Sequence, residues 1–281
     1  MASRSIRARI ARETVEILER GWYPAPDGRR VAVADELTHA RERSRLYTPD
    51  DFAEVFRRRA EFAGRADRPP RTEFRVENCT TLAAARRLIS EGAGDVLCLN
   101  FASAKNPGGG FLGGSQAQEE SLARASGLYA CIAPVRAMYD TNRAFGSCLY
   151  TDHMIHSPRV PVFRDDDDVL LAEPYLASFV TAPAVNAGAL RPGERRHIEP
   201  TMRGRVEKVL AVAAAHRHEA LVLGAWGCGV FRNDPTDVAR WFHEHLMGGV
   251  LKDVFRTAVF AVLDSREGQP VFRPFAERFG R

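Results

Sequence analysis

The stretch DVLCLNFASAKNPGGGFLGGSQAQEESLAR, residues 95–124, decides the fold. Its opening, Asp95–Phe101, is short and apolar, as expected of a strand buried on both faces. A loop with five glycines, Gly108 to Gly114, follows, and a helix is predicted over Gln116–Cys131. Working outward, the same alternation recurs. Strands are predicted at Phe74–Asn78, Val160–Phe163, Tyr175–Thr181, Ala220–Ala225 and Thr257–Leu263. Helices are predicted through Leu82, Ala85 and Ile89, over Ile198–His216 and Pro235–Leu246, and at the end of the chain. Apolar strands separated by helices imply a three-layer α/β/α fold.

Residues 1–71 read differently. Ile6, Ile10, Ile17 and Leu18 share one face of a charged helix that Gly21 ends. A short strand is expected near Arg30–Ala34, and Thr48 before Pro49 suits a helix start. The prolines of Asp67–Arg71 mark the boundary. The chain is therefore divided into a mainly helical extension, 1–71, packed on an α/β core, 72–281.

The formal net charge of the 281-residue chain is +4. Residues 1–71 hold 16 arginines against 12 acidic residues, whereas the rest balances at 24 against 24. A basic extension suits either a solvated helical surface or a polyanionic partner. No apolar run is long enough to span a bilayer, and the charged beginning does not suit a signal peptide. The five cysteines, Cys79, Cys98, Cys131, Cys148 and Cys228, form no CxxC pair. Free thiols and a cytoplasmic location are expected, with no disulfide framework or zinc site.

A second glycine loop, Gly224-Ala-Trp-Gly-Cys-Gly229, also follows a predicted strand. Loops at the carboxyl ends of strands are where open α/β sheets bind ligands, and glycine lets backbone amides approach an anion. Neither loop is a Walker A sequence or a dinucleotide fingerprint. Trp226 reads as a core anchor. Just after the first loop stand Gln118, Glu119 and Glu120. Acidic residues suit a helix N-terminus, and Ser115 with Gln118 could form a capping box. Glu119 and Glu120 project about 100° apart on a helix and so can serve different roles. The run Asp165–Asp168 reads as a solvated loop. The eight histidines read as surface or packing residues, since the pairs at i,i+2 cannot share a metal on a helix.

GGG followed by a short spacer and QEE resembles the poly(ADP-ribose) glycohydrolases, which are built on a macrodomain core, and most of all the short bacterial-type enzymes. Asn100–Arg124 carries the resemblance, supported by Leu149–Pro158, Val180–Gly188 and Gly224–Asp234. It implies a macrodomain with a mixed central sheet that cleaves the ribose–ribose bond of poly(ADP-ribose) and releases ADP-ribose from chain ends. Glu120 would be the catalytic carboxyl and Glu119 would position the distal ribose. The ADP-ribose site would take in Asn106, Gly108, Gly109, Gly110 and Gln118. On the second loop it would take in Gly224, Gly227, Cys228, Gly229, Val230 and Phe231, with Val180–Asn186 on the adenine side. The chemistry needs a carboxylic acid to protonate the leaving oxygen and then to activate water, so a raised Glu120 pKa is expected. No cofactor or metal is implied. The expected partners are poly(ADP-ribose), ADP-ribose and ADP-ribosylated proteins, with no membrane, no specific nucleic acid and a monomeric state. A non-catalytic ADP-ribose reader and a mono-ADP-ribosyl hydrolase are the alternatives on the same fold.

Overall fold

The computed structural model describes residues 3–280. The extension contains α1 (Arg4–Arg20), β1 (Trp22–Pro24), β2 (Arg30–Ala32), α2 (Ala34–Arg43), β3 (Arg45–Tyr47) and α3 (Phe52–Ala63). The core then runs β4 (Glu73–Glu77), α4 (Thr81–Ser90), β5 (Val96–Phe101), α5 (Gln118–Ala125), α6 (Leu128–Ile132), α7 (Arg136–Ala144), β6 (Met154–Arg164) and β7 (Leu170–Ala182). It closes with α8 (Ile198–Ala215), β8 (Ala220–Leu223), α9 (Pro235–Leu246), β9 (Thr257–Ala261) and α10 (Phe272–Phe279).

Seven strands form one mixed sheet in the order β3-β6-β7-β5-β8-β9-β4. The five from β7 to β4 are parallel, while β6 and β3 are antiparallel to their neighbours. Alternate residues of each strand face opposite layers. Leu97 and Leu99 of β5 join α3, α8, α9 and α10 on one face, and Val96 and Cys98 join α2, α4, α5, α6 and α7 on the other. Both faces are dry, which explains why the strands read as continuous apolar runs.

Local chemistry sets the helix limits. Gly21 takes a left-handed φ of 74° and its N–H closes α1 on the Ile17 carbonyl. Asp51 Oδ2 accepts from the Thr48 N–H and hydroxyl, which fixes the turn before α3. Asp234 caps α9, with Pro235 as its first residue.

Four expectations need correction. The helix expected over Gln116–Cys131 breaks in two, because Ser126 is extended and bridges Val162, while the Gly127 N–H bonds the Pro161 carbonyl. The Ser115–Gln118 capping box does not form: the N-cap is Ala117, without a side-chain bond. The strands expected at 160–163 and 175–181 are parts of a longer hairpin, β6–β7, and Asp165–Asp168 is its turn. Asp165 Oδ1 accepts there from the Asp167 and Val169 amides. The extension is also less separate than its composition suggests, since β3 pairs with β6 and completes the edge of the main sheet.

All five cysteines are free. Three of the histidines meet in the interior. His156 stacks on His216 at 3.6 Å between centroids, and its Nε2 lies 2.9 Å from His218 Nε2. The Tyr47 hydroxyl lies 2.6 Å from His216 Nε2. These are packing residues, but His156 is distant in sequence from the other two, and only the fold joins them.

Candidate active site

β7, β5 and β8 are adjacent and parallel, so the loops leaving them meet at one edge of the sheet. The first glycine loop leaves β5 and returns through α5. Gln118 fastens that return: its Oε1 accepts from the Phe101 N–H at 2.9 Å, and its Nε2 donates to the Leu99 carbonyl and Thr81 Oγ1. With its amide engaged by protein on both sides, Gln118 holds α5 against the end of β5. That differs from the ligand contact expected of it.

α5 then turns its two carboxylates apart. Glu119 points inward and is buried, 3% exposed. Its Oε2 accepts from the Ser103 N–H at 2.6 Å and its Oε1 from Asn100 Nδ2 at 3.3 Å. Burial outweighs these bonds and, with a smaller push from Glu120, lifts the Glu119 carboxyl to about 8. Burial therefore perturbs the first glutamate of the pair, whereas the sequence had directed attention to the second. Glu120 is half-buried and its Oε1 accepts from the Gly110 N–H at 3.0 Å. Gly109 lies beneath it with a φ of 58°. A Cβ at Gly109 would stand 2.4 Å from Glu120 Oε1, so glycine is required both by the turn and by the carboxylate.

Asn106 stands exposed at the rim, with its Oδ1 3.5 Å from Arg143 Nη2, and its carbonyl accepts from the Gly109 N–H. Gly108 is buried, and its amide helps to hold the Glu119 charge.

The second loop is pinned from below. Trp226 is fully buried and donates from Nε1 to the Ala182 carbonyl at the end of β7. Asn233 Nδ2 donates to the Val185 carbonyl at 2.7 Å, and its N–H to the Gly227 carbonyl. Gly224 packs against the Ala261 carbonyl, leaving no room for a side chain. The upper part of the loop is different. Among the described residues, the amides of Gly227, Gly229, Val230 and Phe231 have no protein acceptor. Four unpartnered N–H groups in one short loop suit an anion, and no lysine or arginine is needed to hold it. Cys228 is drawn inward: its N–H bonds the Ala225 carbonyl, and burial pushes its thiol up, which disfavours the thiolate that a nucleophile needs. Val230 is 78% exposed, which leaves its backbone rather than its side chain as the useful part.

Phe231 packs on Tyr150, with ring centroids 6.0 Å apart. Tyr150 was not singled out from the sequence. Its φ of 56° in a residue other than glycine is the kind of strain that marks functional loops, but it is invisible without coordinates. Asn100 and Ser103, which hold Glu119, were also missed. A lone asparagine within the apolar run VLCLNF was the available signal.

Residues 11–165 match the family model of the microbial-type PARG (poly(ADP-ribose) glycohydrolase) catalytic domain. The chain is 49% identical to poly(ADP-ribose) glycohydrolase from Thermomonospora curvata, solved with the inhibitor ADP-HPD, with a TM-score of 0.91. That match covers 98% of this chain and 100% of the other. It is 45% identical to the Deinococcus radiodurans enzyme solved with ADP-ribose, with a TM-score of 0.80 over 87% and 96% of the two chains. No curated protein matches. The sheet order, the paired glutamates and these likenesses agree, and the chain belongs to the microbial-type poly(ADP-ribose) glycohydrolase family.

Proposed function

We propose that the chain hydrolyses the ribose–ribose O-glycosidic bonds of poly(ADP-ribose) and releases ADP-ribose, with Glu120 as the proton-transferring carboxyl. The observation that carries this reading is the division of the glutamate pair: Glu119 buried, Glu120 held by the Gly110 amide at the edge where three strand ends meet.

Each part then has a task. The unpartnered amides of Gly227, Gly229, Val230 and Phe231 receive the diphosphate. Phe231 and Tyr150 give an apolar wall for the nucleoside. Glu119, held by Ser103 and Asn100, orients the distal ribose hydroxyls. Glu120 donates its proton to the leaving ribose oxygen as the oxocarbenium character develops. It then takes a proton from the attacking water. Every proton moved belongs to Glu120, water or sugar, so these steps close without a metal.

Among the described residues no helix is long and apolar enough to cross a membrane. The proposal extends to a cytoplasmic monomer that acts on poly(ADP-ribose) from chain ends and on ADP-ribosylated proteins. Glu120→Gln is the test. The variant should retain ADP-ribose affinity and lose at least ~100-fold in the rate of ADP-ribose release, the lower end of what positioned acid–base groups supply. Undiminished release would refute the role. Oligomers as the first products would refute cleavage from chain ends.

A further inference from the structure

The first half of α1 packs on the end of the catalytic loop and on α5. Arg4 and Arg7, one turn apart, donate from Nε to the carbonyls of Gly113 and Gly114, each at 2.9 Å. The contact is backbone to backbone at Gly114. A Cβ there would lie 2.1 Å from the Arg4 carbonyl oxygen and 3.0 Å from the Ala8 nitrogen. One turn on, Ala11 forms a small buried cluster with Phe111 of the loop and Ala123 of α5. Further along, the Thr14 hydroxyl donates to the Arg124 carbonyl at 2.7 Å, again on α5.

A short relay joins this contact to the proposed acid. Arg4 holds the Gly113 carbonyl, the Gly113 N–H bonds the Gly110 carbonyl, and the Gly110 N–H bonds Glu120 Oε1. The Ser115 N–H reinforces it on the Gly110 carbonyl. Glycine-rich backbone has the most conformational freedom to lose, so partners outside the loop add to the order that its internal turns give. Both arginines lie before residue 11, outside the stretch that the family model matches.

We propose that Arg4 and Arg7 are positioning residues of the reaction, clamping Gly113 and Gly114 so that the Gly110 amide stays on the Glu120 carboxylate. The proposal rests on the assignment of Glu120 as the proton-transferring group. The basic extension then contributes through hydrogen-bond geometry, a different role from attracting a polyanion.

The experiment is a double variant of the full chain, Arg4→Gln with Arg7→Gln. Its kcat and KM on poly(ADP-ribose), its ADP-ribose Kd and its melting temperature are compared with wild type. Loosening a reacting group by a fraction of an ångström should lower kcat about tenfold. KM and Kd should stay within about twofold, because the second loop holding the diphosphate is untouched. A lysine pair at the same positions should not restore kcat, since its ammonium lies one bond beyond the Nε that makes each contact. Arg9→Gln, an exposed neighbour with no ion pair among the described residues, should match wild type.

Unchanged kcat in the double variant overturns the proposal. A raised KM with normal kcat, repaired by lysine, also overturns it and assigns the arginines to polymer attraction. If the double variant melts early, Arg4→Gln alone decides, because Arg4 is exposed on the first turn of α1. A normal kcat there is again fatal. Glu120→Gln run alongside separates the two levels. If it is inactive while the arginine variant is normal, only the clamp fails. If it is active, the reading of the site fails and the clamp with it.

Discussion

Gly109→Ala offers the sharpest test of the site geometry. Gly109 sits at a φ of 58°, and an added Cβ would stand 2.4 Å from Glu120 Oε1, 2.9 Å from its Cδ and 3.3 Å from Glu119 Oε2. Left-handed backbone costs an alanine about 1–2 kcal/mol relative to glycine. The clash is with the mobile end of a side chain, so the fold can relieve it by moving the Glu120 carboxylate about 1 Å to ordinary contact distance. Stability should thus fall only by the backbone strain, or roughly 2–8 °C in melting temperature for a chain of this size. Chemistry should suffer far more. A displacement near 1 Å in a reacting group costs about 100-fold in rate, equivalent to ~2.7 kcal/mol in the barrier. The assay pairs initial rates of ADP-ribose release at saturating polymer with a thermal melt. A kcat within about threefold of wild type in a variant that melts as expected would refute the placement of Glu120.

Trp226→Ala should destabilise by about 3–5 kcal/mol in denaturant titration, since it empties a fully buried site and removes one of the two N–H groups on the Ala182 carbonyl, leaving that of Ala102. Its ADP-ribose Kd should also rise. Glu119 is lifted to about 8 in the folded chain, whereas in the unfolded chain it ionises near 4.5. Its contribution to stability is therefore present below pH 4.5 and lost as the pH rises to about 8. Wild type should lose more melting temperature than Glu119→Gln between pH 5 and 8.5, by roughly 5 °C. His156, His216 and His218 are held neutral by burial, His216 down to about 3. Arg45, Arg58, Tyr47 and Asp95 face them, and only Asp95 favours the charged form. Below pH 6.5 the unfolded chain takes up these protons first. Stability should then fall as the pH drops toward 3, by at most about 4 kcal/mol per pH unit if all three titrate. A His156→Gln variant should show a shallower fall.

The core of the fold was legible because its signals are local. Asp95–Phe101 is a dry strand, the glycines that follow cannot be a helix interior, and QEE opens α5. What escaped depends on partners far away in the chain. The break at Ser126 lies in a sequence that favours a continuous helix, and it is made by Pro161 and Val162 across the sheet face. The hairpin β6–β7 read short because Pro161, Arg164 and Pro174 interrupt its apolar pattern, although its backbone ladder continues past them. α7 was not anticipated at all, since Arg136–Ala144 offers only Met138 and Tyr139 as apolar anchors. In the site, the glutamates and both glycine loops could be found from spacing. The burial that distinguishes Glu119 from Glu120 could not, nor could the grip of Arg4 on a carbonyl 109 residues away.

The pairing of β3 with β6 bears on how the chain behaves while it is being made. Arg45, Leu46 and Tyr47 lie against His156, Ile155 and Met154 and occupy hydrogen-bonding groups that would otherwise form an open sheet border. Such a border is a template for joining other chains. β3 leaves the ribosome about a hundred residues ahead of β6, so the cover is already synthesised when the strand it shields emerges. A chain cut at residue 72 would keep every glycine and glutamate of the site, yet it would present Met154–His156 to its neighbours. Aggregation during expression, rather than loss of a catalytic group, should be what defeats that truncation.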